Sequence, residues 1–430
     1  MYFKPELDVS RFPTLLDQFL SITGWEPWRK RIESLQHQLQ SNPLLEEFLV
    51  ERHALELCMG YLKDYHQATG TLPLAIVGSG QYRLYSFIAM VALVYDGLAD
   101  VGKKRLAGML QGGLKDQIGL TPLQDEMETA AHLMQRGFDV TFSDLETGGG
   151  FDFLAKRGDI ESEVECKMVS GDLGRQIHRR RLLDLCKHAY PVMQEDLDKT
   201  GGGRLVRIVL KSRLHGQTKL LQEICSRVAS ALLKRTSLKE LTPCAVHLET
   251  FDPSESPFFN PPGEGLERER VREFVKERFG ISNSYMFVLF RPSHGAIIVV
   301  VESLQKGAVL KGLLRQLKTA ATGQFTKTRA GILCVQLYDL TPEQMLELGR
   351  SDSTDPQKAS ALQIATSEFF DSPKRNHIHT LTYRSHGQVT VTRTAKDGQI
   401  TTVSQEQGHT YTFKNRNHPM VSDIRYSVFT

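Results

Sequence analysis

Apolar residues recur every three or four positions through the first part of the chain, the spacing that places them on one face of a helix. It predicts helices over residues 12–20, 28–39, 43–65 and 82–98. Before the last of these, Gly78-Ser79-Gly80 reads as a turn rather than a phosphate-binding loop, because neither further glycines nor a Gly-Lys-Ser/Thr follow. Another helix starts with Thr121 as N-cap, Pro122 at the first helical position and Gln124 at the third; Leu123, Met127, Ala130, Ala131 and Met134 form its buried stripe. After Gly137 the period shortens to two, and strands are expected over 138–143, 151–156 and 160–169. Gly158-Asp159 is a favoured hairpin dipeptide and sets Arg157 opposite Ile160; counting outward from that pair puts Asp152 opposite Glu165.

The mixture continues after residue 200. Strands over 204–211, 244–249, 285–290, 296–301 and 331–338 alternate with helices over 218–234, 266–279 and 304–322, and read as one enlarged sheet. A proline-rich stretch, 252–265, is expected to be an exposed loop. Beyond a helix over 341–348 and a polar segment, 349–356, the tail reads as a small β-meander. Its strands cover 379–384, 388–395, 399–405 and 410–413, with Lys396-Asp397-Gly398 as a turn. The expected class is α/β: a mostly helical region 1–120, an α/β domain 121–345 extended after 210, and a β-rich region 346–430.

At 430 residues the chain is too long for one core. A net charge of +3 is small, so any attraction to nucleic acid must come from local patches. Cys58, Cys166, Cys186, Cys225, Cys244 and Cys334 are scattered without a C-x-x-C pair, which points to free thiols in a reducing compartment and away from zinc. His377 and His379 alternate as strand neighbours do, and His386, His409 and His418 are isolated; none has an acidic or cysteine partner at ligand spacing. The start, Met1-Tyr2-Phe3-Lys4-Pro5, has no signal-peptide pattern, and the longest apolar run, 87–95, is far short of the roughly 20 residues a spanning helix needs. A cytoplasmic protein without a membrane partner is expected.

Chemistry concentrates in the hairpin. Glu161, Glu163, Glu165 and Lys167 alternate onto one strand face, while Val164, Cys166 and Met168 take the apolar one. Asp152 interrupts an otherwise apolar strand. Two carboxylates and a lysine then meet on one patch of sheet, and one carboxyl pKa rises unless a cation intervenes. Hard oxygen ligands favour Mg²⁺ or Mn²⁺, which polarises a phosphoryl oxygen and acidifies bound water. A neighbouring lysine can hold or deprotonate that water.

Asp152 followed by Glu165-Cys166-Lys167 resembles the D…(D/E)-x-K signature of the PD-(D/E)xK nuclease superfamily, the restriction-endonuclease-like fold. Within it the chain is most similar to archaeal-type Holliday junction resolvases. Phe151 stands where the superfamily name has proline. The likeness extends upstream to the helix carrying Glu126, closed by Gly137-Phe138, and covers roughly 121–210. By pattern alone Glu126 is equally a solvated first-turn acid; the resemblance makes it, rather than Glu128, the third carboxylate. It implies a mixed sheet flanked by helices and Mg²⁺- or Mn²⁺-dependent phosphodiester hydrolysis. Asp152, Glu165 and Glu126 would be metal ligands, the Cys166 backbone carbonyl a further one, and Lys167 would position the nucleophile.

Gly148-Gly149-Gly150, beside Asp152, either lets a nucleic-acid backbone approach or is a plain linker. Arg175, His178 and Arg179 are expected within one helical turn, with Gln176 and Arg180 between and beside them. They are either backbone-phosphate contacts or a solvated helix face. The expected partner is nucleic acid, DNA in the first place, with a homodimer or partner proteins, in repair, restriction or phage defence. The alternative is a catalytically silent nuclease-fold protein serving as a nucleic-acid-binding or interaction scaffold.

Overall fold

The computed structural model describes residues 11–73, 79–170, 172–173, 175–214, 217–255, 268–281, 285–291, 294–305, 308–338, 340, 342–349, 359–385, 389–393, 400–405 and 409–423. Gly78, most of the 252–265 loop, residues 350–356, His386 and the Lys396-Asp397-Gly398 turn lie outside the described residues. The protein is α/β, with mixed sheets flanked by helices. It divides into two compact units, one comprising Met1–His37, Phe48–Gly171 and Leu310–Thr430, the other Gln38–Glu47 and Asp172–Val309. Among the described residues no helix is long and apolar enough to cross a membrane.

The chain opens with α1 (Phe12–Thr23), α2 (Glu26–Ser41), α3 (Glu46–Arg52), α4 (Ala54–Thr69), α5 (Ser79–Gly97), α6 (Asp100–Lys115) and α7 (Thr121–Gln135), all in the first unit except the end of α2 and the start of α3. The single helix expected over 43–65 is broken at His53. At α7, Leu120 holds the N-cap position without a side-chain cap; Thr121 is already helical and its hydroxyl donates to the Arg52 carbonyl at 3.1 Å. The helix starts where expected, but tertiary contact takes the hydroxyl that local capping would have used.

Next come β1 (Asp139–Phe142), α8 (Ser143–Glu146), β2 (Phe153–Arg157) and β3 (Ile160–Ser170), an antiparallel meander with Arg157 paired to Ile160 as counted. Phe153, Ala155, Val164 and Cys166 project into one core with Leu123, Met127 and Ala130 of α7 and with Phe19, Trp28 and Ile88 of the earlier helices. Gly150 packs so tightly on the Gln324 carbonyl that an added Cβ would lie 2.7 Å from it, which accounts for a glycine there without a ligand.

In the second unit lie α9 (Arg179–Thr200), β4 (Gly202–Leu210), α10 (Thr218–Lys234), β5 (Cys244–Phe251), α11 (Arg268–Phe279), β6 (Tyr285–Arg291) and β7 (Gly295–Ser303). These strands do not enlarge the first sheet, contrary to the expectation from sequence; they form their own, ordered β5-β4-β7-β6 with only β4 and β7 parallel. The reason is coverage. Val206, Ile208 and Val299 pack on Leu185, Ala189, Ile224 and Val228 of α9 and α10, while Leu205, Ile298 and Val300 pack on Val271, Phe274 and Val275 of α11. With both faces of β4 and β7 buried, this layer closes by itself.

The first unit resumes with α12 (Val309–Gly323), β8 (Ala330–Tyr338), α13 (Pro342–Gly349), α14 (Ala361–Phe370), β9 (Ile378–Ser385), β10 (Val389–Arg393), β11 (Ile400–Gln405) and β12 (Thr410–Lys414). Here the tail departs from an independent meander. Its outer strands join the six-stranded sheet β1-β2-β3-β8-β9-β12, and only β10 and β11 pair as a separate ribbon. β8 runs parallel to β3 and β9 parallel to β8. β9 is buried along nearly its whole length, Thr380 and Thr382 as well as Leu381 and Tyr383, so it needs neighbours on both edges and cover on both faces.

Candidate metal centre

Where β2 begins, the chain sets Asp152 beside the middle of β3. The Asp152 N–H donates to the Val164 carbonyl at 3.1 Å, and the Cys166 N–H donates to Asp152 Oδ2 at 2.6 Å. That second bond fixes the carboxylate against β3, one residue from Glu165. Glu165 is 1% exposed, and its Oε1 pairs with Lys167 Nζ. Its Oε2 is buried without a hydrogen-bond partner. Glu126, half-buried on the first turns of α7, faces the same group: its charge is felt by Lys167, and the charges of Asp152 and Glu165 act on it. The structure thus gathers Glu126, Asp152, Glu165 and Lys167.

Burial, then the Glu165 charge, pushes the Asp152 carboxyl up to about 8, against the pull of the Cys166 N–H and Lys167. Burial, then Asp152 and Asp144, holds Glu126 well above the usual carboxylate range. Burial also raises Glu165, with Lys167 opposing. For Lys167, burial favours the neutral amine, yet Glu165 outweighs it and the ammonium is held above its ordinary value. Asp144 on α8 belongs to the same group, its charge acting on Glu126, Asp152 and Glu165. Sequence reasoning missed it, because eight residues and a helical turn separate it from Asp152 and no strand register connects them.

The other glutamates of β3 have different duties. Glu161 pairs with Lys156 and Arg329 at the surface. Glu163 is fully buried and accepts from Thr326 N–H at 2.8 Å and from the Thr326 hydroxyl, clamping the segment before β8. The Cys166 thiol lies in the core beside Cys334, where burial raises it well above its ordinary value, so only its backbone is available to the site.

Arg175, Gln176, Arg179 and Arg180 belong to the second unit. The helix expected to carry all of them starts only at Arg179, so Arg175 and Gln176 precede it. Three arginines at a helix N-terminus oppose the macrodipole. Asp172, 4% exposed, offsets this: it accepts from the Arg179 N–H and, at 2.9 Å, from the Tyr285 hydroxyl, to which Arg175 also donates at 3.4 Å. Asp172→Ala is expected to cost about 1–3 kcal/mol in denaturant unfolding, with Tyr285→Phe costing less. Equal stability of Asp172→Ala and the parent protein would refute this.

The donor set fits a hard divalent cation: three acids with hard oxygens, one buried oxygen left without a donor, and carboxyls raised by burial and mutual repulsion. The acids are neighbours rather than a closed cage; among the described residues no three His, Cys, Asp or Glu side chains already stand arranged to ligate an ion. Without a cation, ionising these acids destabilises the fold. Unfolded Asp152 titrates near its ordinary 3.8 and native Asp152 near 8, so between those values the native state keeps a proton that the unfolded state has released. Stability therefore falls as pH rises through this window. Asp152→Asn is expected to gain on the order of 1–3 kcal/mol over the parent between pH 5 and pH 8 in thermal unfolding. Parallel pH profiles for the two proteins would contradict this.

Comparison with known protein families, with curated proteins and with solved structures finds no match for this chain.

Proposed function

We propose that this protein is a Mg²⁺- or Mn²⁺-dependent nuclease of the restriction-endonuclease-like kind, hydrolysing phosphodiester bonds in nucleic acid, with DNA as the first substrate to test. The observation that carries the proposal is the set of Glu126, Asp152, Glu165 and Lys167 gathered at one end of the β2–β3 hairpin, with Glu165 Oε2 buried and unsatisfied. The order α7, antiparallel β1-β2-β3, then α12 and a parallel β8 supports the fold assignment.

Asp152, Glu165 and Glu126 would hold the cation through carboxylate oxygens, joined by the Cys166 carbonyl, which leaves the strand on the same side as the N–H bonded to Asp152. When bound, the cation would polarise the scissile phosphoryl group and acidify a water. Paired with Glu165, the Lys167 ammonium is held above its ordinary value, and in that form Nζ would serve as a donor that orients the attacking water or a phosphoryl oxygen. Arg175, Gln176, Arg179 and Arg180 are the proposed backbone-phosphate contacts in the second unit.

Purified full-length protein is to be incubated with Mg²⁺ or Mn²⁺ and a panel of duplex, single-stranded and branched DNA and RNA. Cleavage lost in Asp152→Asn and Lys167→Ala supports the enzyme. Binding without cutting, unchanged by both substitutions, supports a catalytically silent scaffold instead.

A further inference from the structure

Asp144 lies on α8, the single turn between β1 and the approach to β2. The N–H groups of Ser143 and Asp144 both donate to the Asp152 carbonyl, at 2.9 and 3.4 Å, which ties the start of α8 directly to Asp152. Arg105 of α6 holds this turn from the other side, but through backbone: its guanidinium donates to the Leu145 carbonyl at 2.7 Å and the Asp144 carbonyl at 3.3 Å. The Leu145 N–H bonds Asp144 Oδ1 at 2.8 Å. Arg105 therefore pins the backbone of α8, and although its charge also reaches the Asp144 carboxylate, that carboxylate acts on Glu126, Asp152 and Glu165 as well.

From this arrangement we infer that Asp144 is a fourth cation-holding carboxylate of the centre, an inference that rests on the metal-dependent reading above. Against four carboxylates stand two cations, the Lys167 ammonium paired with Glu165 and the Arg105 guanidinium, whose hydrogen bonds go to backbone carbonyls, whereas Asp125, next along α7, is matched one for one by Arg384 at 2.6 Å. Independently of the acids' number, Glu165 is 1% exposed and its Oε2 has no donor. A buried carboxylate oxygen in that position is satisfied by a cation or by a proton, and a proton neutralises a single acid and leaves the others charged. A divalent ion relieves several at once. The ligand class is a hard divalent cation, with Asp144 joining its inner or water-bridged surroundings.

The test is an equilibrium Mn²⁺ titration of the full-length protein, with free Mn²⁺ read by electron paramagnetic resonance and without any nucleic acid. Asp144→Asn keeps an acceptor for the Leu145 N–H and is expected to weaken Mn²⁺ binding about tenfold or more, with thermal unfolding no lower than the parent's. Asp152→Asn serves as the reference loss, and exposed Asp17→Asn as the unaffected control. If Asp144→Asn fails to fold, Asp144→Ser, which also offers a short acceptor, is titrated in its place. Mn²⁺ affinity unchanged at position 144 but reduced at 152 would overturn the role of Asp144 while leaving the metal-dependent reading intact. No saturable Mn²⁺ binding by the parent protein would overturn both.

Discussion

Asp152→Asn is expected to lower phosphodiester cleavage at least about 10³-fold at saturating Mg²⁺, the scale on which removal of one central electrostatic or acid–base group acts. The substitution is close to isosteric, and an amide oxygen can still accept the Cys166 N–H that now bonds Oδ2, so the hairpin keeps its shape. What disappears is the negative charge proposed to hold the cation. Lys167→Ala is expected to lose a similar factor in rate for a different reason. The Lys167 ammonium pairs with Glu165 and so competes with any cation for that carboxylate. Its removal therefore leaves Mn²⁺ affinity unchanged or tighter while turnover collapses, whereas Asp152→Asn loses both. Single-turnover rates beside Mn²⁺ titrations separate the two. Full-rate cleavage by either variant would end the assignment of this hairpin as the catalytic centre.

Arg384→Ala is expected to destabilise the protein by about 3–5 kcal/mol, the cost of leaving one member of a buried ion pair alone. Arg384 leaves β9 to meet Asp125 on α7 at 2.6 Å and also donates to the Thr129 hydroxyl; the two charged side chains are 15% and 2% exposed. Burial raises Asp125 to about 6 even with the Arg384 charge opposing it. Without the guanidinium that carboxyl moves higher still, so protonation masks part of the loss at low pH. The destabilisation is therefore expected to grow from pH 6 to pH 9 in chemical denaturation. Replacing both residues, Asp125→Leu with Arg384→Met, is expected to cost less than Arg384→Ala alone, since no buried charge remains. A double variant worse than either single one would refute this account. Because Asp125 directly precedes Glu126, the same ion pair ties the placement of a site acid to a strand more than 250 residues later.

The alternation of β3 and the two-residue turn at Gly158-Asp159 were enough to place Asp152 beside Glu165, because register in a tight hairpin is a local matter. The apolar stripe of α7 was equally legible and carries Glu126 at its border. The acidic group itself was only half legible. Asp144 joins it through a backbone tie to the Asp152 carbonyl, which no periodicity announces. Glu163, indistinguishable from Glu165 by pattern, is spent on Thr326, a partner 163 residues away.

Many of the elements were thus legible in sequence alone, because helical stripes, alternating strands and one hairpin register depend on neighbours a few residues apart; the break at His53, the late start of α9 and the helices α8 and α14 were not. Tertiary structure decided which strands share a sheet. The strands between 202 and 303 close on their own helices, while β9 and β12 from the tail complete the sheet that β1 begins. Strand alternation says which face is buried but not what buries it. Partners, and with them the charge that each acid finally meets, come from packing between segments that the chain holds hundreds of residues apart.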